Sequence, residues 1–431
     1  MIVLQGGRVI DPAVGRDEVA DVLVDERGQV HRVGLNAGAH VQGERVRRVD
    51  VTGLWVVPGL IDLHVHFREP GHEYKESIET GLRAAAAGGF TQVCAMPNTD
   101  PVNDCSSVTS MMLGKAAALQ GSRLHPVGAI TKQLRGEELS NMGELRESGA
   151  RMVSDDGRCV TNAGLMRRAL EYARTFDLLV SQHAEEHSMT VGAQMHEGAV
   201  ATRLGLRGWP REAEDVIVAR DLILTEMTGA RYHVAHISSL GSVRLLREAK
   251  SRGLRVSAEV TPHHLALTDE AVIGYNTACK VNPPLRSEEH REALVEALRE
   301  GVIDCVATDH APHSTLEKDC EFSAAACGMT GLEVAVPMML QWVRQGVVDA
   351  RRLVELMSTN PARIAGLAGG RLREGDPADI TVIDPHQRWQ VGAEPMQSKS
   401  RNTPVWGAEV QGRVTMTWVQ GRQVYDRSSA S

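Results

Sequence analysis

The sequence predicts an α/β fold, a closed (β/α)8 TIM-type barrel joined to a small β-sandwich domain that both chain ends build together. Three observations predict it. Apolar β-prone runs alternate with helix-periodic segments eight times through the middle of the chain, the rhythm of a parallel sheet made of βα units. Aromatic residues are only 3% of a chain that is 42% hydrophobic, so Val, Leu, Ile and Ala must fill the interior, as suits strands covered by helices on both sides. The 431 residues accommodate a barrel of about 250 residues or more with an appendage.

Residues 1–58 carry short β-prone runs punctuated by Gly, Pro and Asp, such as Arg8-Val-Ile-Asp-Pro12 and Ala20-Asp-Val-Leu-Val24, which read as strands of a small sheet. The same texture returns in Ala378-Asp-Ile-Thr-Val-Ile-Asp384 and from Val414 to Val424, where Gly421-Arg422 suits a hairpin turn. Residues 1–58 and 365–431 are therefore expected to form one composite β domain, and residues 59–364 the barrel. Barrel strands are expected at Val56 to Phe67, Phe90 to Pro97, His125 to Ile130, Arg151 to Ser154, Leu178 to His183, Arg231 to Ile237, Arg255 to Val260 and Ile303 to Thr308. Between them Glu76 to Ala87, Ala163 to Arg174 and Glu212 to Met227 place apolar residues at helical spacing. Gly88-Gly89, Gly149, Gly229 and Gly253 stand where helices should end.

A net charge of −8 without an extended Lys/Arg run argues against a nucleic-acid surface. One or two inward-facing arginines can still hold a small anion, because net charge governs steering more than local recognition. The seven cysteines, at 94, 105, 159, 279, 305, 320 and 327, form no Cys-x-x-Cys pair, as expected of a reduced, cytoplasmic protein. The first residues show no charged leader with an apolar core, and no apolar stretch reaches membrane-spanning length, so neither secretion nor membrane insertion is expected.

The most informative stretch is Gly59-Leu-Ile-Asp-Leu-His-Val-His-Phe-Arg68. Two histidines at i and i+2 of a strand point to one face, and in so apolar a setting each ring needs a partner. Arg68 continues on that face. On the expected register, other strands also end in residues able to bind metal or substrate: Asn98, Asp155 and Asp156, His183, His236, and Asp309 with His313. Barrel enzymes build their active sites at that C-terminal rim. Singly, Asn98 reads equally well as a turn former, Asp155-Asp156-Gly157 as a capped turn, and His183 or His236 as an ordinary core histidine. The ordinary readings must all hold independently, whereas one metal centre accounts for the set. Four histidines and two carboxylates suit a pair of divalent ions, zinc above all, with manganese or cobalt able to substitute. Hydrolysis is the natural chemistry of such a pair.

Asp62-Leu-His-Val-His-Phe-Arg-Glu-Pro-Gly71 and Ala307-Thr-Asp-His-Ala-Pro-His313, with Lys318 five residues later, resemble the two signature motifs of the dihydroorotase family in the amidohydrolase superfamily. Asn360-Pro-Ala-Arg-Ile-Ala-Gly-Leu367 looks like the superfamily's passage out of the barrel. The resemblance implies that His64, His66 and Asp309 bind one metal and His183 and His236 the other, with an aspartate bridge placed at Asp156 rather than Asp155. Related hydantoinases, allantoinases and some dihydroorotases use a carboxylated lysine there; Gly149 to Gly157 contains no lysine, so the chain looks like the long, aspartate-bridged dihydroorotase type. The implied reaction is reversible hydrolysis of the cyclic amide of (S)-dihydroorotate to N-carbamoyl-L-aspartate in pyrimidine synthesis, with Asp309 as general acid and base. Arg68, Asn98 and His313 would hold the substrate carboxylate, Asn282 would meet the ring, and the backbone donors at Cys327-Gly328 would close over it. The family commonly has Phe-Gly where this chain has Cys327-Gly328. Ser314 to Gly328 reads as a mobile lid. A homodimer, and association with aspartate carbamoyltransferase, are the partners the family suggests. The competing readings are another cyclic amidase, acting on hydantoins or allantoin, and a non-catalytic scaffold for that carbamoyltransferase.

Overall fold

The computed structural model describes residues 1–41 and 46–429; residues 42–45 and 430–431 of the expected composite domain lie outside the described residues. Both chain ends contribute to one eight-stranded sheet among the described residues. Ile2–Asp11, Arg16–Val24, Val30–Gly34, Arg47–Asp50 and Trp55–Pro58 come from the first end, and Ile380–Gln390, Glu409–Val419 and Arg422–Asp426 from the last. Trp55–Pro58 joins the two ends, pairing antiparallel with Ile380–Ile383 and parallel with Arg8–Val9. The Val30 N–H donates to Asp376 O and the Ala378 N–H to Gly28 O, so the sheet curls until its outer strand meets the segment leading into Ile380–Gln390. The expected sandwich is thus one continuous sheet wrapped around Leu4, Val9, Val22, Val56, Ile380, Val382 and Trp418. The hairpin turn falls one residue earlier than expected, on Gln420 and Gly421, whose φ values of 50° and 74° are those of the primed turns that match strand twist.

The barrel strands are Leu60–Val65, Phe90–Ala95, Arg123–Pro126, Met152–Val153, Leu179–Gln182, Tyr232–Val234, Val256–Val260 and Cys305–Val306, and neighbours pair in parallel. Parallel bridges Gly128↔Val153 and Val65↔His310 complete the circle, the latter reinforced by the His66 N–H donating to His310 O at 2.8 Å. All eight expected strands are present, with altered bounds. The run Val56 to Phe67 is two strands, divided at Gly59, whose N–H donates to Asp379 O. Only Leu60–Val65 enters the barrel. The third strand begins and ends earlier than expected, and it ends at Pro126 because at Val127–Gly128 the chain turns its hydrogen bonds from Ala95 to Met152. The helix expected from Glu76 starts at Ile78, after a capping box in which Ser77 Oγ and the Thr80 N–H pair. The Glu76 carboxylate instead turns into the protein.

Helix Asn360–Ala365 places Ala362, Ile364 and Ala365 against Ile61, Leu63, Met152, Leu179 and Cys305 of the barrel interior. The Ile364 carbonyl accepts from Arg231, and Asn360 donates to Asp304 O, both residues standing just before barrel strands. This helix therefore plugs the N-terminal mouth with apolar side chains. The C-terminal mouth is left for chemistry.

Candidate active site

Six residues that the sequence scatters over more than two hundred positions meet at the C-terminal mouth: His64 and His66 from the first strand end, Asp156 from the fourth, His183 from the fifth, His236 from the sixth and Asp309 from the eighth. All are buried. His64 Nε2 lies 3.1 Å from Asp156 Oδ1 and 3.7 Å from Asp309 Oδ1. His66 Nε2 is 3.0 Å from Asp309 Oδ1 and 3.4 Å from Asp156 Oδ2. His183 Nδ1 and His236 Nε2 stand 2.9 Å apart, and 3.6 and 3.5 Å from Asp156 Oδ1. Asp156 is thus the centre of the cluster. Asp155 points elsewhere, accepting the Thr131 N–H at 2.9 Å. The chain is strained where it delivers two of these groups and the neighbouring Arg68: φ is positive at His236 (25°), Asp309 (47°) and Arg68 (61°), an expense found typically at functional sites.

The rings are held from behind. His64 Nδ1–H donates to Glu259 at 2.7 Å and His66 Nδ1–H to Asn98 Oδ1 at 2.9 Å, which leaves each Nε2 aimed at the carboxylates. His183 presents Nδ1 instead, its Nε2 standing 3.2 Å from Glu185. Against a burial that would raise it, Asp156 is held well below the usual carboxylate range by the charge of His64 and by the adjacent rings of His183 and His236. Despite burial, the carboxylates push His64 well above an ordinary imidazole and His183 to about 10. Asp309 is likewise depressed, despite burial, by His66 and His64. His64 Nε2 and Asp156 Oδ1 are buried without a hydrogen-bond partner among the described residues. Two groups, His64–Asp156–His236 and His64–His66–Asp309, bring their donor atoms within 4.8 Å of one another. The donor set fits divalent ions with imidazole and carboxylate ligands.

The expected substrate residues surround this cluster. Arg68 is half-buried against the eighth-strand loop, its Nε donating to Pro312 O at 3.1 Å. Its guanidinium lies 3.3 Å from His313 Nε2, but that nitrogen is 2.8 Å from Cys327 O, which can only accept, so it carries a proton and Arg68 keeps N–H groups to offer. Burial, then the charges of Arg68 and Lys75, lower His313 to about 3, and its Nδ1 finds no hydrogen-bond partner among the described residues. Asn98 binds His66, and Asn282 donates to Glu185 at 3.0 Å. The backbone at Cys327-Gly328 departs from expectation: the Gly328 N–H donates to Lys280 O at 2.8 Å, and Cys327 offers its carbonyl to His313. In this conformation the Gly328 N–H is already engaged, and the Cys327 carbonyl faces His313.

Sequence reading missed several supports. Glu259 holds His64 and, through its other oxygen, His233 at 3.1 Å; a lone acid in the apolar run Val256–Val260 was the signal. Asp62 accepts the N–H groups of His64 and Thr308 at 3.0 and 3.1 Å, tying first strand to eighth, and burial lifts it to about 7. Glu185 stands two residues beyond His183. Asn402 gave no signal, being 89 residues from the His313 backbone it binds.

Residues 53–242 match the family model described as Dihydro-orotase-like. The dihydroorotase of Anaeromyxobacter dehalogenans (strain 2CP-1) is 53% identical over 433 aligned residues, covering 100% of this chain and 99% of its own. That of Geobacter metallireducens is 51% identical over 426, covering 99% and 100%. Among solved structures, the L-hydantoinase of Arthrobacter aurescens superposes with a TM-score of 0.88 at 25% identity, over 99% of this chain and 96% of that one. The D-hydantoinase of a Thermus species gives 0.84, also at 25%, over 99% and 95%. These are TIM-barrel hydrolases of cyclic amides, and the identity that runs from one end of the chain to the other decides among their families: the chain belongs to the dihydroorotase family.

Proposed function

We propose that this protein is a metal-dependent hydrolase that interconverts (S)-dihydroorotate and N-carbamoyl-L-aspartate. The observation that carries the reading is the convergence of His64, His66, Asp156, His183, His236 and Asp309 on one buried point beside Arg68. His64, His66 and Asp309 would hold one divalent ion and His183 and His236 the other, with Asp156 between them. Imidazole-rich ligation favours zinc, and manganese or cobalt suits the same donors. Such ions supply Lewis acidity that activates water and polarises a carbonyl. The chain's own part begins with Arg68, whose remaining N–H groups can grip a carboxylate in two places. His313 and Asn98 flank that grip, Asn282 borders the ring, and the Cys327-Gly328 backbone covers it. Asp309, ionised and next to His66, takes a proton from the attacking water. As the ring C–N bond breaks and the new C–O bond forms, it hands that proton to the departing nitrogen. In the ring-closing direction it removes the same proton.

The structural likeness to hydantoinases motivates a second reading, turnover of hydantoins or allantoin. The aspartate at the centre of the cluster and the absence of lysine from Gly149 to Gly157 weigh against it. The intact histidine and aspartate set weighs against an inert scaffold, although a homodimer and association with aspartate carbamoyltransferase accord with the family. A cytoplasmic location accords with seven free cysteines. No helix among the described residues is long and apolar enough to cross a membrane. The test is absorbance change on adding (S)-dihydroorotate to metal-analysed protein, beside hydantoin and allantoin. Faster turnover of either alternative, or none of dihydroorotate with metal bound, overturns the reading.

A further inference from the structure

The connection between strands Ile380–Gln390 and Glu409–Val419 leaves the small sheet and crosses to the loops at the C-terminal mouth of the barrel. It is fastened at each step. The Glu333 carboxylate accepts the Gln397 and Ser398 N–H groups at 3.0 Å. Glu76 accepts Ser398 Oγ–H and the Lys399 N–H, Lys399 Nζ donates to Glu73 O at 2.8 Å, and Ser400 Oγ–H to Lys75 O at 2.9 Å. The crossing ends on Asn402, which is 7% exposed.

Asn402 uses its whole amide on two segments of the substrate site. Oδ1 accepts the His313 N–H at 3.2 Å, and Nδ2 donates to Ala311 O and Gly328 O, both at 3.1 Å. Its own carbonyl accepts the Thr330 N–H at 3.0 Å. Carbonyls only accept and backbone N–H groups only donate, so the amide can sit in one orientation. Between Ala311–His313 and Gly328 the chain makes a long excursion through Ser314 to Cys327. Asn402 clamps the two ends of that excursion together. Arg68 depends on the same loop, through Pro312 O.

We propose that Asn402 is a positioning residue for substrate binding: from the small sheet's own connection it sets the spacing between the His313 and Gly328 segments, and thereby the place of the Arg68 guanidinium that grips the carboxylate. The inference rests on the dihydroorotase reading above. Asn402 contacts none of the six clustered histidines and aspartates, so its loss should fall on binding while leaving metal content and the chemical step intact.

The test compares Asn402→Ala and Asn402→Asp with the unaltered, metal-loaded protein in steady-state kinetics on (S)-dihydroorotate. Asn402→Ala should raise KM about tenfold, the effect of about one charge-assisted hydrogen bond misplaced, with kcat within about threefold. Asn402→Asp, which sets a carboxylate oxygen against the carbonyls of Ala311 and Gly328, should raise it further. Metal content should equal that of the unaltered protein in both. Ser398→Ala, which loosens the crossing at Glu76 and leaves the clamp itself intact, should raise KM by about threefold and serves if the Asn402 variants do not fold. Unchanged KM in the folded variants overturns the proposal alone. So does a parallel fall of kcat, metal content and melting temperature, which is the mark of general damage. An unaltered protein that binds metal and ignores dihydroorotate overturns the functional reading, and the proposal with it.

Discussion

Glu259 and His64 meet at 2.7 Å through Nδ1, deep in a barrel wall where neither side chain reaches solvent. The carboxylate fixes the ring's tautomer, so that Nε2 faces Asp156. Its second oxygen binds His233 Nε2, whose Nδ1 in turn meets Ser257 Oγ at 2.8 Å. Glu259 is itself held below the usual carboxylate range, despite burial, by its hydrogen bonds to His233 and His64. A carboxylate behind a ligating histidine raises the ring's basicity as well as orienting it.

Replacing it should therefore show first in metal binding. Glu259→Gln should weaken retention of zinc about 10- to 100-fold, the usual effect of losing such an outer partner. Competition against a chromophoric chelator measures this directly. Retention equal to that of the unaltered protein would mean that His64 is oriented by the strand alone.

Asp309→Asn isolates the proton-carrying role proposed for Asp309. Asparagine tolerates the positive φ of 47° at this position better than other residues do, and it keeps an oxygen to face His66. The backbone should stay in place while the group loses its capacity to carry a proton. In preparations matched for metal content kcat should fall by about 10²- to 10⁴-fold, with a smaller change in KM. A loss below tenfold at equal metal content would leave Asp309 as a holder of metal only.

The barrel is legible because its strands are runs of Val, Ile, Leu and Ala separated by helix-periodic segments, and His64, His66, His183, His236 and Asp309 are legible because each ends a strand. What is not legible depends on contacts made across the fold. The break at Gly59 is invisible in an apolar run that reads as one strand. That Gly328 would offer an already bonded N–H and Cys327 a carbonyl follows from the positions of Lys280 and His313, which spacing does not reveal. Asn402 belongs to a connection with no periodicity of its own, and its role exists only because that connection crosses to the far end of another unit.

Gly59 is the point where the chain passes from the curled sheet into the barrel. A Cβ there would overlap the Thr91 side chain on the neighbouring strand, and Thr91 is fully buried with its hydroxyl donating to Leu60 O. Gly59→Ala should therefore destabilise the protein by about 1–3 kcal/mol through overpacking. The denaturant midpoint should fall with little change in slope. A neutral result would show that Thr91 can turn aside at no cost.

Glu333 supplies a pH dependence remote from the histidine cluster. It lies in a cavity of about 500 Å³ between helix Ala335–Arg344 and the small sheet, with Trp389, Arg413 and Tyr425 also lining it. Burial pushes its carboxyl from 4.5 up to about 7, although the N–H groups of Gln397 and Ser398 pull the other way. The folded protein thus holds a proton that the unfolded chain releases near 4.5. Stability from this group is fully present below the unfolded value and is lost as pH rises through about 7, where the carboxylate must ionise in place. Glutamine mimics the protonated form and cannot ionise. Glu333→Gln should match the unaltered protein at about pH 5 and exceed its stability by about 2 kcal/mol at about pH 8. Denaturant titrations at the two pH values give the difference. A variant less stable at the higher pH would show that the ionised carboxylate gains more from Gln397 and Ser398 than it loses by leaving water.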